Sequence, residues 1–375
     1  MGQVKGEGGP GLPDRVMLGL LARAFPPELV DRAVAECGRA GQRDRLLPPR
    51  TVVYFVIAMC LFPGLGYAEV ARLVTDGLAW AGQPGPRQVP TSAAVSRARA
   101  RLGPEPLRIL FRRVARPLAT LDTRGAWYGR RRLVALDSAV LDVPGSAENT
   151  VYFGCPLSRR ARQGVLPQVR VMALTECGTG AVTAAAPGPP AVPELVPARE
   201  LFGRIGPGDL LLAEPGPSGP ALWRAAAATG ADLLWRVPFP HTLRVGRELP
   251  DGSYLSATAG QPGADPVRVV ACLPGGPAGR APCLLATTLL DHRTDPAPGL
   301  AALHGPRHGS AYAPDPPRPR PYQPAGVLRS RLPGGVEQEV WGHLLAHHAV
   351  HAFLHDGAGG AFPLVGGVPR PARRS

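Results

Sequence analysis

Two apolar runs in this chain each lead into an acid. Leu133-Val134-Ala135-Leu136 precedes Asp137, and Leu210-Leu211-Leu212-Ala213 precedes Glu214. An apolar strand ending in a carboxylate sets charge at the carboxyl edge of a sheet, where open α/β folds bind ligands and ions. Carboxylates are hard oxygen donors for divalent cations, and such cations suit phosphodiester chemistry because they neutralise charge that builds on phosphoryl oxygens. Asp137 and Glu214 are therefore the candidate catalytic and metal-ligating residues.

Two other constellations carry chemistry. Arg97 and Arg101 lie four residues apart within Pro90 to Gly103, a segment with an N-cap, a helical body and a closing Gly. They share a helix face, which reads either as a phosphate contact in a helix-turn-helix-like arrangement or as a solvated basic face. His343, His347, His351 and His355 recur every four residues, with His348 beside them. Imidazoles at that spacing can ligate Zn²⁺ or Ni²⁺. No acid or cysteine stands at ligand spacing nearby, so the row reads first as a helix face, with protonation near pH 6 adding positive charge.

The elements that must position these residues follow from the pattern. Residues 1–13 are Gly-rich and read as disordered, and 14–125 read as a helical, DNA-binding-type domain that includes the apolar run Val52 to Phe62. That run is too short to cross a bilayer, which takes ~20 residues. From residue 126 strands and helices alternate: a strand into Asp137, a hairpin turning at Gly178, a helix over 194–204, a strand into Glu214, a helix over 221–228 and a strand over 232–237. Residues 238–283 read as a β-rich insertion, 284–289 as a strand, and 336–355 as an amphipathic helix. Between these last two, six prolines fall from Pro314 to Pro324, and each interior proline costs a helix ~3 kcal/mol. The core thus spans 126–356, with a flexible basic tail over 357–375. Alternation of this kind specifies an α/β layer fold.

The 375 residues carry 42 Lys plus Arg against 28 Asp plus Glu, a net charge of +14. That surplus favours a polyanionic partner, since each neutralised phosphate releases counterions. Arginine, glycine, proline and alanine are abundant together, and a GC-rich gene produces the same bias. The six cysteines show no CxxC pairing and no secretory leader precedes them, which predicts reduced thiols in a cytoplasmic, nucleoid-associated protein with no membrane contact.

The residues also carry a resemblance. Val134-Ala135-Leu136-Asp137-Ser138, Phe153-Gly154, Pro167-Gln168-Val169-Arg170 and Glu176-Cys177-Gly178-Thr179 resemble the first-acid region of bacterial transposases of the Insertion Sequence four family. Gly208 to Ala213, Ala221-Leu222-Trp223 and Thr229 to Arg236 resemble its second-acid region, and Arg329-Ser330, Val336 to Gly342 and Ala346-His347 resemble its C-terminal helix. The resemblance covers nearly the whole chain. It implies a ribonuclease-H-like core with a β-rich insertion, double-stranded DNA as partner, a homodimer as candidate assembly, and three carboxylates holding Mg²⁺ or Mn²⁺ for DNA strand cleavage and transfer.

This sequence departs from the family pattern at two of the three acids. Glu214 stands where the family has Asp, and its extra methylene displaces the carboxylate by more than metal geometry tolerates. The third-acid helix pattern falls on His304, Arg307, Ala311 and Arg318, so Ala311 replaces the acid while Arg307 and Arg318 stay as DNA-binding candidates. The disrupted segment 304–326 is expected to stem from paired frameshifts. The expectation is a transposase impaired in catalysis; the alternatives are a DNA-binding remnant without catalysis and a histidine-helix metal-binding protein.

Overall fold

Pro27 opens α1 (Pro27–Glu36) and Pro49 opens α2 (Pro49–Leu61) in the computed structural model, each where a missing N–H leaves no helix bond unmade. The structure describes residues 21–39, 47–80, 88–156, 165–213, 219–237, 243–257, 266–272, 283–303 and 326–357. Every residue of α2 from Thr51 to Cys60 is buried, as a helix apolar on all sides must be. Against it pack α1, α3 (Tyr67–Trp80) and α4 (Ser92–Leu102), and α5 (Glu105–Val114) packs on α1. The caps of α4 are those its ends predict: Thr91 Oγ1 accepts from the Ala94 amide at 3.2 Å, and Gly103 leaves the helix at φ 69°.

The remaining elements in chain order are β1 (Trp127–Tyr128), β2 (Arg131–Asp142), α6 (Ala147–Phe153), β3 (Gln168–Glu176), β4 (Val182–Gly188), α7 (Leu195–Phe202), β5 (Asp209–Ala213), α8 (Gly219–Ala227) and β6 (Asp232–Val237). Then come β7 (Arg247–Glu248), β8 (Tyr254–Ala257), β9 (Pro266–Cys272), β10 (Cys283–Thr287), α9 (Ala297–Leu303) and α10 (Pro333–Gly357). Among the described residues the strands form one ten-stranded sheet in the order β4-β3-β2-β5-β6-β10-β9-β8-β7, with β1 on β2. Strands β2, β3 and β4 run antiparallel, β5 and β6 lie parallel to β2, and β10 through β7 continue antiparallel from β6. The fold is thus a mixed α/β arrangement with N-terminal helices, and the β-rich stretch after β6 lengthens the sheet.

The hairpin between β3 and β4 turns on a glycine for a steric reason. Gly178 sits at φ +84°, and a Cβ there would lie 2.7 Å from the Ala126 amide nitrogen and the Arg124 carbonyl oxygen. Both the backbone conformation and the close approach of the 124–126 loop demand the missing side chain.

The core reads as clusters on the two faces of the sheet. One face carries Val134, Leu136, Met172, Leu211, Leu233 and Trp235 against Leu201 of α7 and Leu222 of α8. On the other face, Leu133, Ala135, Leu210, Leu212 and Leu285 pack with Leu300 of α9. Farther along β2 on that face, Ala139, Leu141 and Val143 join Val56, Leu107, Phe111 and the α10 residues Val340, Trp341 and Leu344. The N-terminal helices and the sheet therefore share one continuous apolar cluster.

Two sequence expectations change. β2 does not end at Asp137 but continues to Asp142, with burial alternating from Ala139 onward. The helix expected to be amphipathic is buried on most sides: Val336, Gln338 to Trp341, Leu344 to Leu345 and Ala346 to Ala349 all lie inside. It is a central element wedged between α2, α5 and β4, and helices in that place are apolar around their circumference. The Pro-rich residues 304–325, the tail from 358 and the N-terminal 1–20 lie outside the described residues.

Candidate functional site

Asp137 lies on β2 one residue beyond the last described pair of the parallel β2–β5 ladder. Among the described residues the β2–β5 register runs from Arg132↔Asp209 to Leu136↔Ala213, and Asp137, one residue later, pairs with Ala173 of β3. Its carboxylate shares a sheet face with Leu133 and Ala135 before it and Ala139 and Leu141 after it. Those neighbours belong to different apolar clusters, so the acid marks the seam between them. It is only 8% exposed. An ionised carboxylate in such a seam is tolerated only with a cation or hydrogen-bond partners. Thr175 Oγ1, opposite Ala135 on the same face, is buried and has no hydrogen-bond partner.

The negative field at this seam reaches Cys177, whose thiol is pushed up to about 12 by burial first and by Asp137 and Glu176 second. That thiol is therefore protonated and is no nucleophile. Glu176 itself is structural. It is fully buried, and its Oε2 accepts from the Leu118 and Ala119 amides at 2.9 and 2.8 Å and from Thr179 Oγ1 at 2.7 Å.

Glu214, Arg307 and Arg318, and with them His304 and Ala311, lie outside the described residues. Among the described residues no group of three His, Cys, Asp or Glu converges to hold a metal ion. Asp209, at the far end of β5 from position 214, is occupied with Arg132.

Arg97 and Arg101 both lie exposed on α4, beside the exposed small residues Ser92, Ala93, Ser96 and Ala100. A third cation joins them: Arg39, exposed after α1, donates to the Arg101 carbonyl at 3.2 Å. Sequence reasoning missed it because it sits 62 residues away in the chain. Between the two outward arginines, Arg99 points inward and is 5% exposed, a reversal that the alternating Arg97-Ala98-Arg99-Ala100-Arg101 run alone does not reveal.

The histidine row lies half-buried to buried along α10. His347 and His348 are buried, and the His347 and His351 rings stack with centroids 4.0 Å apart. His351 Nδ1 lies 2.7 Å from the Thr179 carbonyl, and His355 Nε2 lies 3.4 Å from Thr123 Oγ1. Burial pulls His343 down to about 4, with help from the Arg329 charge, and His348 to about 4, with help from Arg116. His347 is held well below its ordinary value by burial and by its histidine neighbours, and His351 falls in the same direction through burial. The expected protonation of this row near pH 6 is thus corrected for His343, His347 and His348, which are neutral there, while His351 is shifted in the same direction.

The class these features define is a mixed α/β protein with a helical N-terminal region, a buried acid on the central strand β2 and an exposed arginine-bearing helix. The family described as insertion element 4 transposase N-terminal matches residues 15–112. The transposase InsG for insertion sequence element IS4 of Escherichia coli strain K12 is 28% identical over 338 residues, covering 86% of this chain and 74% of InsG. A second transposase of that organism, InsZ, is 27% identical over 187 residues, covering 50% of this chain and 60% of InsZ. Residues 15–112 thus match the N-terminal region of insertion element 4 transposases, and the chain as a whole is similar to two transposases of Escherichia coli. A piggyBac transposase synaptic complex with hairpin DNA aligns at a TM-score of 0.34 and 13% identity over 76% of this chain and 63% of that one, too distant to bear on the site. No described helix is long and apolar enough to cross a membrane.

Proposed function

We propose that this chain is a DNA-binding transposase-family protein whose strand-cleaving centre is incomplete. The observation that carries the reading is the place of Asp137 on β2, the central strand of a five-strand core ordered β4-β3-β2-β5-β6. Three antiparallel strands followed by two parallel to the first is the order expected of a ribonuclease-H-like core. In that reading β7 to β9 are the insertion and Asp137 is the first acid of a DDE set.

The donor set does not fit a pair of divalent ions. Two-ion phosphoryl transfer uses carboxylates that clamp both cations. The sequence offers Asp137, a lengthened Glu214 and Ala311 at the three family positions, and alanine has no donor atom. The orphaned Thr175 hydroxyl is a neutral oxygen and does not replace a carboxylate.

DNA contact rests on the other half of the molecule. The outward face of α4 combines Arg97 and Arg101 with small residues that let a helix approach a duplex closely, and Arg39 adds a third cation at its end. The net charge of +14 supports the same partner. The test has two arms on the full chain: an electrophoretic shift on insertion-element end sequences, and strand cleavage with Mg²⁺ or Mn²⁺. The expected result is binding without robust cleavage. Robust cleavage that is lost in Asp137→Ala overturns the claim of an incomplete centre, and absence of any shift overturns DNA binding.

A further inference from the structure

Arg99 anchors a buried polar network that has no part in the reading above. Its Nε donates to Gln338 Oε1 at 3.0 Å, one terminal nitrogen donates to Ser330 Oγ at 3.0 Å and the Gly335 carbonyl at 3.1 Å, and the other donates to Tyr67 Oη. Gln338 answers from the α10 side, its Nε2 donating to the Arg99 and Gly103 carbonyls at 2.7 and 2.9 Å, which are last-turn acceptors of α4. Glu339 completes the charge balance. It lies 3.7 Å from the guanidinium, accepts from Ser330 Oγ, and accepts from the Arg329 amide at 2.7 Å. Arg329 then donates to the Leu65 carbonyl at 2.7 Å and to that of Pro63. Both charged side chains are almost wholly inside, 6% and 2% exposed, and a guanidinium with five forked donors is the group that can satisfy so many acceptors at once.

We propose that Arg99 is a positioning residue that locks α4 to Ser330 and to the first turns of α10, fixing the orientation of the Arg97 and Arg101 face. The proposal rests on reading that face as a DNA contact. Arg99 touches no DNA itself. It acts through the helix it shares with the two outward arginines, and Gln338, on a different element, is an equal half of the lock.

The experiment measures the affinity of the full chain for a fluorescent double-stranded DNA at several salt concentrations, for Arg99→Lys, Gln338→Leu, Ser330→Ala and the double variant Arg99→Lys/Gln338→Leu. Losing bonds worth about 1 kcal/mol each should weaken binding about 3- to 10-fold in each of the two main single variants. The double variant should be no weaker than the worse single, because one lock is broken once. The salt slope should stay unchanged, since no phosphate contact is removed. Amide exchange along α4 should quicken in the same variants. A folded Gln338→Leu with unchanged affinity and unchanged α4 exchange overturns the proposal, and so does a reduced salt slope in Arg99→Lys, which would mean direct phosphate contact. If Gln338→Leu does not fold, Ser330→Ala carries the same test with the loss of one donor path. Failure of the DNA reading looks different: Arg97→Ala and Arg101→Ala would then leave affinity unchanged while α4 exchange still responds to Gln338→Leu.

Discussion

Arg132 Nε donates to Asp209 Oδ1 at 2.9 Å, directly across the parallel β2–β5 pair and at the opposite end from Asp137. The second oxygen of Asp209 accepts from the Gly206 amide at 3.1 Å, so this acid fastens the entry of β5 to the entry of β2. Asp209 is 7% exposed and its oxygens are committed to these two donors, which makes it a structural acid. Replacing Asp209 by Asn should cost about 1–3 kcal/mol of stability, the penalty for weakening a buried charge-assisted pair. A urea titration measures it, and DNA affinity should not change. A variant as stable as the parent would show that the pair contributes nothing.

The histidine row makes stability depend on pH in a defined direction. His343 and His348 are held at about 4, and His347 and His351 are lowered as well, while an unfolded imidazole titrates near 6.5. The unfolded chain therefore binds more protons between those values, and stability rises with pH across that window. It is full above about 6.5 and declines as pH falls toward about 4. Each strongly lowered imidazole contributes at most about 2 kcal/mol of loss by pH 5. Urea midpoints recorded from pH 7.5 to 5 should fall, and His348→Gln should flatten the curve. A flat parent profile would contradict the burial of the row.

Arg268 ties the strands after β6 to α9. It is fully buried, donating to Ser253 Oγ at 2.8 Å, to the Leu289 and Asp295 carbonyls at 3.2 and 2.6 Å, and to Asp251. Asp251 in turn caps α9 by accepting from the Ala297 amide at 2.9 Å. Burial works against the Asp251 carboxylate, but hydrogen bonds from Ser253 and Ala297 and the Arg268 charge outweigh it and bring its pKa to about 2. Its contribution is thus present above the unfolded value near 3.9 and lost as pH falls toward about 2. Arg268→Met leaves a partly buried acid and two carbonyls without this donor and should cost about 3 kcal/mol. Thermal unfolding checks the total, and faster amide exchange in β8 and β9 locates it.

Much of this architecture is legible in the residues, for identifiable reasons. The α4 boundaries follow from Thr91 and Gly103, whose cap chemistry is local. The β3–β4 hairpin follows from Gly178 between two apolar runs. Past Asp137, the alternation of Ser138, Val140 and Asp142 with Ala139 and Leu141 is a strand signal that an acid at the centre obscures. Tertiary contact decides what local pattern cannot: Arg99 turns inward because Gln338, 239 residues away, supplies its acceptor. The same holds for α10, whose histidines look solvated in a periodic pattern and are inside because α2, α5 and β4 surround the helix.

The charge on the α4 face makes a countable prediction. Each phosphate neutralised on B-DNA contributes about 0.9 to the slope of log affinity against log salt, so contacts can be counted by removing cations one at a time. Arg97, Arg101 and Arg39 are exposed, and Arg39 reaches the end of the same helix through the Arg101 carbonyl. Arg97→Ala and Arg101→Ala should each lower the slope by about 0.9 and weaken binding to all sequences alike, since phosphate contacts carry no base information. Arg39→Ala should lower it by about the same amount, together with a small loss of stability from the freed carbonyl. By contrast, Arg112 and Arg113 on α5 are paired with Glu200 and Glu36, and removing either should leave the slope unchanged. Fluorescence anisotropy titrations between 50 and 200 mM salt, about the range over which such contacts dominate, distinguish the two groups. Equal slopes for all five variants would remove α4 from the DNA interface and leave its arginines as a solvated face.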